Sequence, residues 1–370
     1  MILSMNECFM KYIDEYRDKG LIMKLADQIG KSVRRDYTFM EVCGGHTAAI
    51  HRFGIPSLLP GNVKLISGPG CPVCVTGTDF IDKAIAYSKM EKVIITTFGD
   101  LVRVPGSASS LEKEKAAGAD IRIVLAGLEA LEIARINSEK KVIFLGIGFE
   151  TTAPGTAVTI KQAEKDNIKN FFLLSAHKVM PPAMEAIIKE GVNLDGFICP
   201  GHVATITGST VFNFIPEKFN LGCVITGFEP ADILQSILML VHQVNRNTPK
   251  VEIQYNRAVT DKGNIIAQRH LSQIFEPCDE QWRGLGVIRG SGLKLRKEYE
   301  KFDAEKIIPV RIKFREEDVL CICGDILRGL KTPEDCALFA RICVPENPAG
   351  ACMVSNEGSC NTWYKYKLIK

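Results

Sequence analysis

The chain lacks any apolar run approaching the roughly 20 residues that span a bilayer as a helix. Its opening stretch, MILSMNECFMKYIDEYRDKG, sets Glu7, Asp14 and Glu15 where a secretory leader needs an unbroken apolar core. The expectation is a cytoplasmic protein with no membrane partner. The chain also lacks an excess of either charge, since 46 basic side chains against 43 acidic ones leave a net +3. That is too little for a general pull toward polyanions, so no nucleic-acid partner is implied. No short internal repeat is visible, and no second C-x-x-C motif stands at zinc-ribbon spacing.

Cysteine is abundant instead. Thirteen cysteines in 370 residues need an explanation other than structural disulfides, which rarely persist in a reducing compartment. Metal binding or thiol redox chemistry is the better use. Cys43, Cys71 and Cys74 sit early, and six more crowd between Cys321 and Cys360. Cys8, Cys199, Cys223 and Cys278 are scattered and read as small core or incidental residues.

At 370 residues the chain exceeds the usual size of one hydrophobic core. From residue 37 short β-rich runs alternate with helix-like stretches, the pattern of parallel sheets covered by helices. YTFMEV (37–42), NVKLIS (62–67), KVIITTF (92–98) and IRIVL (121–125) read as strands. KVIFLGI (141–147), NFFLLSA (170–176), DGFICP (195–200) and LGCVIT (221–226) form a second set. TDFIDKAIAYSKM and PADILQSILMLVHQVNR read as helices, the latter with Pro230 in its first turn. After Pro249 the texture changes, and VEIQYNRAVTDKGNIIAQ reads as a hairpin or small sheet. The expected class is α/β, with two parallel-sheet domains in tandem over 1–137 and 138–245. A small cysteine-rich α+β domain follows over 246–370.

Glycine-rich or polar sequence follows several strands: CGGHT, GPGCPVC, GFETT and PGHVATITG. The carboxyl ends of strands line the crevice of open α/β sheets, so these segments are expected to converge. Cys43 falls in the turn before a helix, where backbone N–H groups favour a thiolate able to bind a soft metal. His46 is positioned to ligate, donate a hydrogen bond or shuttle a proton, against the plainer reading of a buried cysteine beside a capping histidine. Cys71 and Cys74 suit a reversible disulfide or half of a tetrahedral metal site. Gly146-x-Gly148 only faintly imitates a dinucleotide loop, because Thr151 occupies the third small position. Glu150 with Thr151 or Thr152 reads more simply as a helix N-cap, and His202 and His177 as satisfied structural histidines.

The C-terminal run is the strongest local signal. Cys321-x-Cys323 is followed by twelve residues to Cys336, six to Cys343, eight to Cys352 and seven to Cys360. Four thiolates hold a 4Fe-4S cubane, leaving two for an adjacent dithiol. An all-cysteine zinc site is the competing account.

Along essentially its whole length the sequence resembles the HypD family of nickel-iron hydrogenase maturation factors. MEVCGGHTAAI (40–50), LISGPGCPVCVT (65–76), GIGFETTAPGTA (146–157), FICPGHVATITG (197–208), CICGDILRGL (321–330) and ACMVSNEGSCNTWYKY (351–366) carry the resemblance. LAGLEAL (125–131) departs from it, where a Tyr-Ser-Pro-type segment is expected. The resemblance implies an assembly scaffold rather than a metabolic enzyme. With the small partner HypC it would carry an Fe(CN)2CO unit, taking cyanide-derived ligands from HypE before transfer to the hydrogenase large subunit. On that reading Cys43 ligates the iron, and His46, His202, Glu150 and Thr151 belong to its site. Cys71 and Cys74 form a redox pair, and Cys321, Cys323, Cys336, Cys343, Cys352 and Cys360 supply a 4Fe-4S site resembling ferredoxin:thioredoxin reductase. Cys323, Cys336, Cys343 and Cys360 are the expected cluster ligands. Electrons would run from the cluster through a C-terminal dithiol to Cys71 and Cys74 and on to the iron. The alternatives are a thiol-disulfide oxidoreductase and a zinc-stapled binding module.

Overall fold

The computed structural model describes residues 10–312 and 320–368, so Glu7 and Cys8 lie outside the described residues. The eight expected strands form as β1 Tyr37–Glu41, β2 Val63–Ser67, β3 Val93–Thr97, β4 Ile121–Ile123, β5 Lys141–Gly148, β6 Phe171–His177, β7 Gly196–Pro200 and β8 Gly222–Thr226. β9 Val251–Ile253, β10 Phe275–Trp282 and β11 Gly286–Leu295 follow. β3, β7 and β8 are buried at every residue, as strands covered by helices on both faces must be.

The fold is α/β, with two parallel sheets and a cysteine-rich C-terminal region. Strand pairing, however, does not follow the tandem division expected from chain order. One sheet has the order β2-β1-β7-β8-β9 and the other β4-β3-β5-β6. β1 pairs with β7 in parallel, Phe39 opposite Gly196, and β3 pairs with β5, Val93 opposite Lys141. The chain therefore starts the first sheet, builds the whole of the second, and returns to finish the first. The boundary near residue 137 cuts through the second sheet, and the one near 245 separates β9 from the first. The physical reason is that the central strands of both sheets, β3, β7 and β8 among them, are alike apolar and buried, so nothing in their composition marks which sheet they join.

Helices cover both sheets. Pro230–Arg246 starts with Pro230 at its first turn and ends at Asn247 in the left-handed region, with φ 51°. Asp232 accepts from the Glu229 N–H at 3.1 Å, satisfying one donor of the helix entrance. Ile233, Leu234, Ile237, Leu240 and Val241 lie on its buried face and pack with Phe39, Ile198 and Val224 of the first sheet. Each such burial contributes about 1.5–3 kcal/mol.

The segment after Pro249 also differs from expectation. Only Val251–Ile253 is a strand, and Ile265–Ile274 is a helix capped by Asn264, whose side chain accepts from Ala267 N at 3.0 Å. The antiparallel hairpin comes later, as β10 and β11. Beyond it, short helices at Cys323–Leu327, Ala351–Val354 and Ser359–Trp363 carry much of the cysteine-rich region. Among the described residues no helix is long and apolar enough to cross a membrane.

Candidate metal and thiol site

Cys43 ends the extended run of β1 with φ −147° and caps the helix Gly44–Arg52. Three backbones meet there. A Cβ on Gly70 would stand 2.2 Å from Cys43 N, and one on Gly44 would stand 2.5 Å from Glu357 Cβ. Gly44 N donates to Gly70 O at 3.0 Å. The glycines of CGGHT and GPGCPVC are thus what lets the two motifs and the C-terminal loop touch.

The electrostatics around Cys43 are the reverse of the thiolate-stabilising turn expected from sequence. Burial pushes its thiol up to about 12, with Glu357 and Glu41 adding negative charge nearby. Glu41 is itself buried, which raises its carboxyl to about 7, against the hydrogen bonds it accepts from Thr47 Oγ1 and Cys43 N. Burial raises Glu357 as well, with Asp100 contributing. The helix terminus is outweighed by desolvation and acid neighbours. A thiol so placed is deprotonated when a metal cation takes the proton's place on sulfur, the proton being released to solvent.

His46 is wholly buried. Its Nε2 faces the carbonyl oxygens of Thr226 at 3.1 Å and Gly227 at 3.0 Å, so this nitrogen carries the proton and donates. Nδ1 is then a bare acceptor, buried and without a partner. Burial lowers the ring to about 4. Phe228 stacks on His46 with centroids 4.4 Å apart and on His202 with centroids 3.9 Å apart. The two histidines of the CGGHT and PGHV motifs meet through this one phenyl ring.

Cys71 and Cys74 form a disulfide, their Cα atoms 5.2 Å apart, around the turn Pro72–Val75. Cys74 Sγ lies 3.9 Å from Ala351 O, and Ala351 opens the short helix that carries Cys352. The Cys352 and Cys323 sulfurs, both reduced thiols, are 2.6 Å apart. All six C-terminal cysteines line one small pocket, together with Ile326, Leu338, Phe339 and Met353. Among the described residues no three metal-ligating side chains are already drawn onto a single point.

Sequence comparison decides the family. A model described as "HypD: Hydrogenase formation hypA family" matches residues 20–367. The chain belongs to the HypD family. It is 47% identical to hydrogenase maturation factor HypD2 of Bradyrhizobium diazoefficiens, over 96% of this chain and 97% of the relative. It is 46% identical to HypD of Azotobacter vinelandii, over 96% and 97%. Identity to HypD of Escherichia coli K12 is 42%, over 97% and 98%.

In this HypD chain the thiols around the C-terminal pocket are a donor set of the kind and number an iron-sulfur cluster needs. Cys323, one of the four expected ligands, has its sulfur 2.6 Å from that of Cys352, and both are reduced thiols. The remaining four thiols around the pocket are Cys321, Cys336, Cys343 and Cys360, the number a cubane requires. Burial raises Cys321 to about 12 and also raises Cys343 and Cys360. Ala349 N donates to Cys343 Sγ at 3.3 Å, and a Cβ on Gly350 would stand 2.8 Å from Cys321 Sγ.

The GFETT motif lies on a different wall. Thr151 and Thr152 line a cleft of about 880 Å³ with Pro72, Val73, Asp100 and Glu357, and neither provides the expected N-cap hydrogen bond. Glu150 instead accepts from Met180 N at 2.9 Å, and burial raises it to about 7 with its second oxygen unpartnered. His177 is structural, bonded to Thr156 Oγ1 at 2.9 Å. Phe228, Glu41 and Glu357 escaped sequence reasoning. Glu41 and Glu357 nonetheless stand inside the runs MEVCGGHTAAI and ACMVSNEGSCNTWYKY.

Proposed function

We propose that this chain is the scaffold on which the Fe(CN)2CO unit of nickel-iron hydrogenases is assembled. A HypC-type small chaperone shares the iron, and a HypE-type protein donates cyanide. The hydrogenase large subunit receives the finished unit. Cys43 is the iron ligand on the scaffold's side, with His46 and His202 beside it, and a 4Fe-4S cluster is held by Cys321, Cys336, Cys343 and Cys360.

One observation carries this reading: an unbroken series of contacts, some through sulfur and some through backbone, runs from the C-terminal pocket to Cys43. Cys323 touches Cys352, Ala351 next to Cys352 touches Cys74, and Gly70 next to Cys71 packs on the Cys43 backbone. Releasing cyanide from a thiocyanate R–S–C≡N breaks the S–C bond and takes two electrons and one proton, giving R–SH and cyanide. Oxidation of the Cys71/Cys74 dithiol to its disulfide supplies both electrons and two protons, one of which goes to R–S. Thiolate exchange with the Cys323/Cys352 dithiol then restores Cys71 and Cys74. The cluster, when bound, would supply low-potential electrons at the far end of this series of contacts. The second dithiol proton is released to solvent; His46, lowered to about 4 by burial, stays neutral, and its unpartnered Nδ1 lone pair faces the same buried site as a hydrogen-bond acceptor.

The test is Cys71→Ser. Cluster absorption should stay intact while hydrogenase maturation is lost. Retained hydrogenase activity would overturn the relay.

A further inference from the structure

All five residues of β2 line one groove of about 530 Å³. Successive side chains of a strand point to opposite faces, so a groove touched by Val63, Lys64, Leu65, Ile66 and Ser67 alike runs along the side of the strand. β2 is the terminal strand of its sheet. Its register with β1 sets Tyr37 opposite Val63 and Glu41 opposite Ser67. Tyr37 N donates to Asn62 O at 2.8 Å and Gly68 N to Glu41 O at 2.7 Å. That pattern commits the even-numbered residues of β2 to β1 and turns the backbone groups of Val63, Leu65 and Ser67 outward. Pro60 O takes up Val63 N, whereas the Leu65 and Ser67 N–H groups donate to no described residue.

The groove is also cationic. Lys64, Lys331 and Lys367 line it, against Asp335. Lys367 pairs with Glu334 at 2.9 Å, while Lys64 and Lys331 have no acid within ion-pair distance among the described residues. Lysines on an open edge discourage apolar strands, and the same charge favours an acidic one.

We propose that β2 accepts an extended, acidic segment of a partner protein as an added strand. The open edge supplies backbone hydrogen bonds, and Lys64 and Lys331 supply the charge preference. Five residues span about 17 Å, enough for five or six residues of the partner. The groove backs onto the thiol pocket: Ile326 lines both, and Asp335 and Ser359 directly precede Cys336 and Cys360. A strand seated there therefore presses on the loops that carry these thiols. The proposal stands independently of the maturation role.

The full chain is titrated with a fluorescein-labelled heptapeptide alternating glutamate with valine, and with its lysine–valine counterpart. Saturable binding of the glutamate peptide alone is expected. Lys64→Glu combined with Lys331→Glu should weaken it about tenfold, and Leu65→Pro, which removes an outward N–H, should abolish it. Binding should also slow hydrogen exchange at the Leu65 and Ser67 amides. No binding, equal affinity for the lysine peptide, or binding without protection of those amides overturns the proposal. Should Leu65→Pro fail to fold, amide exchange in the unaltered chain still separates these outcomes.

Discussion

The sulfurs of Cys323 and Cys352 lie 2.6 Å apart at the edge of a pocket lined by four further thiols. The pair is a dithiol, and the four others are free to hold metal. Serine at Cys321, Cys336, Cys343 or Cys360 is expected to remove most of the iron and acid-labile sulfide from anaerobically purified protein. Serine at Cys323 or Cys352 should spare both, together with the visible absorption that bleaches on reduction. Equal loss of iron in the Cys323→Ser and Cys336→Ser variants would refute the assignment.

Phe228 between His46 and His202 makes a second test. Phe228→Leu keeps an apolar side chain but removes both stacks, and should cost about 1 kcal/mol in urea unfolding. Phe228→Tyr should restore most of it. The ring-proton resonances of His202 should move in the leucine variant, since a phenyl face no longer lies 3.9 Å from its centroid.

Gly70→Ala should destabilise the chain by more than about 2 kcal/mol, because the added methyl would meet the Cys43 backbone at 2.2 Å. Gly30 is the comparison. It lies in the helix Lys19–Ser32 with nothing within 4 Å of a new Cβ, so Gly30→Ala should stabilise by a few tenths to about 1 kcal/mol. Denaturant midpoints of both variants check the pair.

Glu150 predicts a pH dependence. Burial raises its carboxyl from 4.5 to about 7, so the folded chain keeps this proton over a range in which the unfolded chain has released it. From this group, stability falls as the pH rises between those two values and is level above them. Glu150→Gln has no such proton to lose. Its urea midpoint should decline less than the parent's between about pH 5 and about pH 8, and parallel declines would rule the effect out.

The strands were legible because apolar runs bounded by glycine and proline leave few alternatives, and Pro230–Arg246 formed over the residues that its helical spacing marked. The partition of those strands was not. Whether β1 takes β7 or β3 as neighbour depends on contacts far apart in sequence, and both candidates are equally apolar. At the site, the position of CGGHT and GPGCPVC after adjacent strands pointed to their convergence, and the Gly70 contact with the Cys43 backbone shows them touching. Spacing alone gave no means of pairing Cys323 with Cys352, because the loops between them take irregular paths. Phe228 was invisible for a similar reason: one phenylalanine after a strand has no signature until two histidines from distant segments close on it.

The nested order of the sheets has a consequence for how the protein is made. As the chain leaves the ribosome, β1 and β2 emerge first, yet β1 has one side open until β7 arrives, after the whole of the inner sheet has been synthesised. The inner sheet closes through comparatively local contacts, whereas the outer one must close a long loop around it. The inner sheet is therefore expected to gain amide protection before the outer one on recovery from denaturant, with the half-built outer layer the stage most exposed to aggregation.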